Sequence, residues 1–290
     1  MEILFDPSII ASDPNYISLR DNPKYYELRE YCENLWNKFS TFADDTFRSD
    51  FANQLHSRFW EMYLGNRLMD CGFALVQKQS NMGPDLKILV NNSVVWIEAT
   101  ASEEGCGIDA VPNIFAHSRF NSLPQDKIIL RFTNSIMAKI YQFNCYINKG
   151  IVNSEDSYII AVNGGGIGLV SFDADPIPAI LRSVYPIGDF YITYDKESGK
   201  FIDSGFYNRQ EVIKNSGSSV STNIFIDPNN TGISGILYSQ TAIKFPLSQM
   251  EEDFLFIHNL LANNPLNLGW IDLKEEYWID EEGCLQFVKN

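Results

Sequence analysis

Two short segments with apolar residues at alternate positions flank the pair Asn91-Asn92. Segments 85–90 and 93–100 both follow the two-residue period of strands that bury one face. Asparagine tolerates the positive φ angles of a two-residue hairpin turn, so the pair predicts a β-hairpin. We expect a helix to cover its continuous apolar face, which consists of Leu86, Ile88, Val90, Val95, Ile97 and Ala99.

The same turn brings two acidic residues together. With a two-residue turn Val90 faces Ser93, and continuing the pairing sets Asp85 opposite Glu98 on the face away from the apolar residues. Like charges directly opposed across two strands are destabilising. A divalent cation between them removes that repulsion, and Mg²⁺ or Mn²⁺ prefers carboxylate oxygens. The hairpin therefore predicts a metal site, whereas a register shifted by one residue would put the two carboxylates on opposite faces.

The patterns around the hairpin predict an α/β protein. Apolar residues at helical spacing predict helices over 23–39 and 46–70. Strands are predicted at 73–78 and 157–163, and a further helix ending near Asn148 lies between the hairpin and the last strand. The order helix, strand, strand, strand, helix, strand is typical of an α/β fold.

The helix that ends near Asn148 has two possible beginnings. Residues 122–125 could form a capping box with an early proline. Alternatively, residues 128–130 form a short extended piece and Thr133 caps a helix that begins after it. The sequence leaves both open.

The chain beyond residue 163 carries weaker patterns. The glycine-rich run 164–168 lacks the spacing of a phosphate-binding loop, so a tight turn is expected there. His258 is predicted to be a structural histidine, and the acidic segment 275–282 to be solvated. A short helix is expected over 176–184 and strands are expected at 189–194, 223–227, 233–239 and 253–258.

The carboxylates and their surroundings resemble the PD-(D/E)XK nuclease superfamily. Pro84-Asp85 matches its PD element, Glu98 matches the acidic residue of its E-x-K signature, and Glu61 matches its helix glutamate. The resemblance implies a restriction-endonuclease-like fold, a mixed central sheet flanked by helices, with Mg²⁺ or Mn²⁺ held by these three carboxylates. It also implies a core at 46–170, an N-terminal helical extension at 1–45 and a C-terminal α+β extension, rich in β-structure, at 171–290.

The sequence departs from this family where Thr100 stands in place of the signature lysine. Three lysines are candidates to replace it: Lys139, Lys87 and Lys78. We favour Lys139, which forms a polar helical stripe with Arg131, Ser135 and Gln142. Arg131 and Lys87 are then candidate phosphate contacts, and Lys139 joins the carboxylates as a catalytic residue.

Charge and composition limit the other possibilities. A net charge of −15 weighs against simple nucleic-acid binding, although −9 of it falls in residues 1–45 and 272–290 together. Five scattered cysteines, no signal-peptide pattern and no long apolar stretch predict a cytoplasmic protein without a membrane partner.

Two functional hypotheses follow. The first is a metal-dependent nuclease, a hydrolase that cleaves nucleic acid, with DNA rather than RNA as the expected substrate. It would act alone, as a homodimer or with a protein partner. The second is a nuclease-like module without catalysis that serves in binding or regulation, which Thr100 and the net negative charge favour.

Overall fold

The computed structural model describes residues 2–77, 82–113, 123–173, 175–243 and 254–289. The α-helices in these ranges are α1 (Pro14–Asp21), α2 (Tyr26–Phe39), α3 (Phe47–Phe51), α4 (Leu55–Asp70) and α5 (Gln125–Asn148). The strands are β1 (Leu86–Val90), β2 (Ser93–Glu103), β3 (Ser157–Gly166), β4 (Ile187–Tyr194), β5 (Phe201–Asn208), β6 (Glu211–Ile213), β7 (Ser219–Ser221), β8 (Gly235–Ser239), β9 (Leu255–His258), β10 (Glu275–Ile279) and β11 (Leu285–Lys289). None of these helices is long and apolar enough to cross a membrane.

One large mixed sheet organises the described part of the chain. Its strand order is β1-β2-β3-β8-β9-β10-β11. Strands β2, β3 and β8 run parallel, as do β9 and β10, whereas the other neighbouring pairs are antiparallel. The predicted α/β class, with a mixed central sheet flanked by helices, is therefore confirmed. Strands from the segment 171–290 extend the same sheet that the hairpin begins.

The predicted hairpin and its register are confirmed. Asn91 and Asn92 both have positive φ, 50° and 67°, as a two-residue turn of type I′ requires. Val90 pairs with Ser93, and Leu86 at the other end of β1 pairs with Ile97. Asp85 and Glu98 are the next residues outward along this ladder.

Each face of the sheet packs against its own layer. The apolar face of the hairpin contacts the core formed by α1 to α4, as predicted. The opposite face contacts a second core formed with α5. Successive residues of a strand face the two cores in turn: Ile97 faces the first core, whereas Trp96 packs against the second.

Three elements near the hairpin differ from those predicted from the sequence. The helix expected over 46–70 is divided into α3 and α4 by the turn at 52–54. The strand expected at 73–78 is reduced to one bridge between Leu75 and Ile88, and Lys78 lies outside the described residues. Helix α5 begins at Gln125, so residues 128–130 are helical and the extended alternative is wrong.

Three predictions farther along the chain are wrong, whereas the tight turn expected in the glycine-rich run is present, since the Ile167 N–H donates to the carbonyl oxygen of Gly164 at 3.0 Å. The glycine-rich run begins inside β3, because this strand continues through Gly166. A Cβ at Gly165 would lie 2.6 Å from the carbonyl oxygen of Thr241, so close backbone packing also requires glycine here. Only 181–183 of the expected helix at 176–184 form a short 3₁₀ turn, and residues 224–226 form another where a strand was expected.

The third error concerns Glu276 in the acidic end. Glu276 is 2% exposed within β10, and its Oε1 lies 2.7 Å from His258 Nε2. Strand β10 pairs with β9 and β11 on either side, which takes Glu276 out of solvent, whereas Glu281 and Glu282 beyond the strand are exposed as predicted. His258 is buried in this pair, in agreement with the predicted structural role.

Candidate metal and phosphate site

Asp85 connects the two open ends of the hairpin. It directly precedes β1, and its Oδ2 accepts a hydrogen bond of 2.7 Å from the backbone N–H of Ala99 in β2. Pro84 beside it is buried, which anchors the turn that leads into the strand. The local sequence thus holds the Asp85 carboxylate against the backbone of Ala99, the residue that follows Glu98 in β2.

Glu98 is a buried carboxylate with a lysine partner. Its side chain is 3% exposed, and its Oε1 accepts a hydrogen bond of 2.6 Å from Lys139 Nζ. Lys139 lies on α5, which covers the face of the sheet that Glu98 shares with Trp96. The Lys139 side chain is 21% exposed, so it reaches both the buried carboxylate and solvent. Of the candidate lysines in the described residues, Lys139 is thus the one paired with Glu98.

A chain of hydrogen bonds on α5 joins Lys139 to the turn before Asp85. Lys139 donates to Gln142 Oε1 at 3.2 Å, and Gln142 Nε2 donates to the Tyr146 hydroxyl. That hydroxyl donates in turn to the carbonyl oxygen of Gly83 at 3.1 Å. Three residues at helical spacing therefore connect the two acidic ends of the hairpin.

The negative charge of the site raises the pKa of two tyrosines. Burial and the nearby Glu98 carboxylate raise the pKa of Tyr146 to about 12, and Asp85 contributes in the same direction. Burial and Glu98 also raise the pKa of Tyr158, whose hydroxyl donates to Glu98 Oε2 at 3.5 Å. Both hydroxyls stay protonated and act as hydrogen-bond donors at neutral pH.

Glu61 is not brought to this pair. It is 5% exposed on α4, the helix that covers the opposite face of the sheet. Its Oε2 accepts a hydrogen bond of 2.8 Å from Arg58, which also donates to Asp50. Among the described residues, no three histidine, cysteine or acidic side chains are grouped as metal ligands. The carboxylates that the structure brings together are therefore the two at the hairpin ends.

The other predicted cations contact the protein itself. Arg131 Nε donates to the carbonyl oxygen of Glu103 at 2.8 Å. Ser102 donates to Ser135 on the same helical stripe. Lys87 Nζ lies 4.6 Å from the centre of the Trp96 ring, a cation–π contact. The stripe on α5 thus contacts β2 at Glu103, Ser102 and Glu98, and its phosphate-binding role stays a prediction.

Sequence reasoning missed Tyr146 and Tyr158. Tyr146 follows Lys139 by seven residues, so helical spacing alone puts both on one face of α5. Residues along β3 face α4 and α5 in turn. Tyr158 faces α5, on the side of the sheet where Glu98 lies. The first could have been found from the helical period, whereas the second needed the register of β3 on β2, where Trp96 pairs with Tyr158.

Comparisons of the chain with family models, curated proteins and solved structures found no match. The resemblance to the PD-(D/E)XK nucleases therefore rests on its motif residues, Pro84-Asp85, Glu98 and Glu61.

The chemistry of the donor set fits a hard divalent cation. Asp85 and Glu98 supply carboxylate oxygens, and Mg²⁺ in phosphoryl-transfer sites commonly takes one or two carboxylates and completes its shell with water and substrate oxygens. Two carboxylates and the Lys139 ammonium sum to one negative charge. A divalent cation would make the site net positive, as binding of a phosphate requires.

Proposed function

We propose that this protein is a metal-dependent phosphodiesterase that hydrolyses nucleic acid, with DNA rather than RNA as the expected substrate, on a restriction-endonuclease-like core. The observation that carries the proposal is the Lys139 Nζ to Glu98 Oε1 contact of 2.6 Å. It puts an ammonium group beside the acidic pair although Thr100 occupies the position of the signature lysine. An acidic pair and a lysine are the groups of the resembled family's PD and E-x-K elements, to which its helix glutamate adds a third carboxylate.

The order of elements supports the same fold. Helix α4, the bridge at Leu75, the hairpin, α5 and β3 follow one another along the chain. Strand β3 then pairs parallel to β2 through the crossover that α5 provides. This order agrees with the helix, strand, strand, strand, helix, strand arrangement expected of the restriction-endonuclease-like core.

Each residue of the site has a defined part in the proposed reaction. Asp85 and Glu98 would hold the divalent cation, which when bound supplies a Lewis acid that lowers the pKa of a water molecule. Lys139 would stabilise the negative charge that builds up on the phosphoryl oxygens. Tyr146 would hold the turn at Gly83 and thereby keep Asp85 in position.

Cleavage assays test the proposal. Plasmid, linear and single-stranded DNA, and RNA, would be incubated with Mg²⁺ or Mn²⁺ and the wild-type protein, Asp85→Asn or Glu98→Gln. We expect metal-dependent cleavage that falls at least about a hundredfold in both variants, as loss of a charge-stabilising group does. Glu155→Gln, an exposed acid between α5 and β3, is the matched control and should cleave as the wild type does.

A module without catalysis is the second candidate function. The specific observation in its favour is that Arg131 and Lys87 are engaged by the protein's own carbonyl and ring, in a chain of net charge −15. A folded protein that neither cleaves any of the four substrates nor binds Mn²⁺ would support this module and contradict the nuclease.

A further inference from the structure

A cavity of about 360 Å³ lies at the first turn of α5. Ligand sites for small molecules begin at about 300 Å³, so this cavity has room for more than a single ion. Its wall combines the beginning of the helix with one residue of β4, and it consists of Leu123, Pro124, Gln125, Asp126, Lys127 and Asp189. The first two of these make part of the wall apolar, which suits an organic molecule.

The first turn of α5 has backbone donors without a backbone partner. Pro124, at the N-cap position, offers no side-chain acceptor. Within the described part of the chain, the Gln125 N–H donates to Leu123 and the Ile128 N–H to Pro124, whereas those of Asp126 and Lys127 donate to no carbonyl oxygen. Free N–H groups at a helix N-terminus and the helix dipole together favour an anion.

Arg182, a buried arginine behind this wall, is incompletely paired. Its side chain is 3% exposed, its Nη1 donates to Asp189 at 3.5 Å, and its Nη2 lies 3.3 Å from Asp175. Strong charge-assisted hydrogen bonds are shorter, about 2.7–2.9 Å. Its Nε is buried and has no hydrogen-bond partner among the described residues. Because a guanidinium stays charged and a buried charge needs close pairing, Arg182 would be stabilised by a nearer anion.

Further buried polar atoms without a partner border the same cavity. Arg209 Nη1 donates to Asp126 at 2.8 Å, while Arg209 Nε and Nη2 are buried without a partner in the described ranges. The same holds for Gln125 Oε1. Buried polar atoms are normally hydrogen-bonded, so four such atoms around one cavity, with that of Arg182, point to a ligand. Three of the four are donors, so the ligand must be rich in acceptors.

The two acidic residues of the wall are compatible with an anion. Asp126 is neutralised by its ion pair with Arg209. The Asp189 side chain is 79% exposed and is held by the 3.5 Å contact with Arg182, so it can turn to solvent. Its carboxylate therefore lies loosely beside the buried guanidinium, where an external anion would bind more closely.

We propose that this cavity, called here the α5 N-terminal site, binds a small organic molecule through an oxyanion group, a phosphate or a carboxylate. The oxyanion would displace the Asp189 carboxylate, pair with Arg182 and accept the free N–H groups of the first turn of α5. Gln125, Leu123 and Pro124 would contact the rest of the molecule. The inference does not depend on the nuclease proposal, since none of these residues belongs to the metal site.

NMR of the ¹⁵N-labelled full chain tests this proposal, because it observes the N–H group at arginine Nε directly. Inorganic phosphate and acetate would be titrated separately at an ionic strength kept constant with sodium chloride. We expect binding to shift the Arg182 signal, which is assigned by its loss in Arg182→Gln. In that variant the backbone amides of Asp126 and Lys127 should no longer shift. Tighter binding of phosphate assigns a phosphorylated ligand, and tighter binding of acetate assigns a carboxylate.

Two exposed acids give matched variants. Asp189→Asn removes the competing carboxylate and should tighten binding at least about threefold, as loss of a surface charge contact does. Glu197→Gln, in the β4–β5 turn, makes the same change of charge outside the cavity wall and should bind as the wild type does. Arg209→Gln should weaken binding at least about tenfold, because hydrogen bonds to a charged group are lost.

Two results would overturn the proposal. The first is an Arg182 signal that neither anion shifts. The second is equal affinity in Asp189→Asn and Glu197→Gln, because the anion would then bind elsewhere. Both substitutions are at exposed positions, so circular dichroism should show folded proteins and this comparison remains decisive even if Arg182→Gln does not fold.

Discussion

Lys139 Nζ lies 2.6 Å from Glu98 Oε1, across the boundary between α5 and β2. The two residues differ in their access to water, since the glutamate side chain is 3% exposed and the lysine side chain 21%. A buried charge is stable only when it is paired, whereas a lysine near the surface can turn its ammonium group to solvent. Removing the Lys139 ammonium should therefore destabilise the fold more than removing the charge of Glu98.

Replacing Lys139 by methionine should destabilise the fold. The change keeps most of the side-chain volume but removes the ammonium group from a buried carboxylate, and we expect a loss of about 1–3 kcal/mol in the free energy of unfolding. Urea unfolding monitored by circular dichroism measures it. Lys196→Met, at an exposed position in the β4–β5 turn, should change that free energy by less than about 0.5 kcal/mol.

Glu98→Gln provides the reverse comparison. It should cost less than Lys139→Met, because Lys139 can then reach solvent while the buried position carries a neutral amide. Equal losses of the free energy of unfolding in the two variants, or no loss in Lys139→Met, would contradict the expected difference between them.

Tyr146 should make the protein less stable at alkaline pH. Burial and the charge of Glu98 raise its pKa from 10.0 to about 12 in the folded chain. The folded state therefore holds this proton more tightly than the unfolded state, and the resulting stability is lost as pH rises from about 10 to about 12. Urea unfolding at about pH 9 and about pH 11 should show a larger loss in the wild type than in Tyr146→Phe.

Removing the neighbouring charge tests the cause of this shift. In Glu98→Gln the pKa of Tyr146 should fall toward its ordinary value, because one of the negative charges that oppose phenolate formation is gone. The absorbance difference between Glu98→Gln and Glu98→Gln/Tyr146→Phe, followed during alkaline titration, isolates this hydroxyl. An unchanged midpoint would rule out the charge of Glu98 as a cause.

Glu276 should be essential to the fold. Its carboxylate accepts hydrogen bonds from the backbone N–H of Gly269, at 3.1 and 3.0 Å, and lies 2.7 Å from His258 Nε2. Glu276→Ala leaves these buried groups unpaired, and we expect a loss of about 3 kcal/mol in the free energy of unfolding. Glu282→Ala, an exposed acid beyond β10, should lose less than about 0.5 kcal/mol in the same urea experiment. A small effect of Glu276→Ala would contradict its structural role.

Local signals explain what the sequence predicts correctly. The hairpin register depends on two asparagines at positive φ, and the apolar residues alternate with that register. The acidic end shows the limit of such signals. Glu276 lies in an acidic stretch, yet pairing of β10 with β9 and β11 buries it, and these contacts are set by the sheet and not by neighbouring residues.

Strand alternation explains why Glu61 and Glu98 lie on opposite sides of the sheet. Helix α4 packs on the apolar face of the hairpin, whereas Glu98 points to the other face, toward α5. Strand alternation alone therefore separates a glutamate on α4 from Glu98, unless it lies beyond the edge of the sheet. The resemblance to the nuclease family suggested three ligands, but the geometry brings together two. The contact between Lys139 and Glu98, 41 residues apart, depended on how α5 crosses the sheet.

Calorimetric titration with Mn²⁺ tests most directly whether Asp85 and Glu98 form one metal site. We expect the wild type to bind one ion, and Asp85→Asn and Glu98→Gln each to bind it at least about tenfold more weakly, since each removes one of two charged ligands. Glu61→Gln, on the other side of the sheet, and Glu155→Gln should bind as the wild type does. Unchanged affinity in Asp85→Asn and Glu98→Gln, or no binding by the folded wild type, would contradict the proposed site.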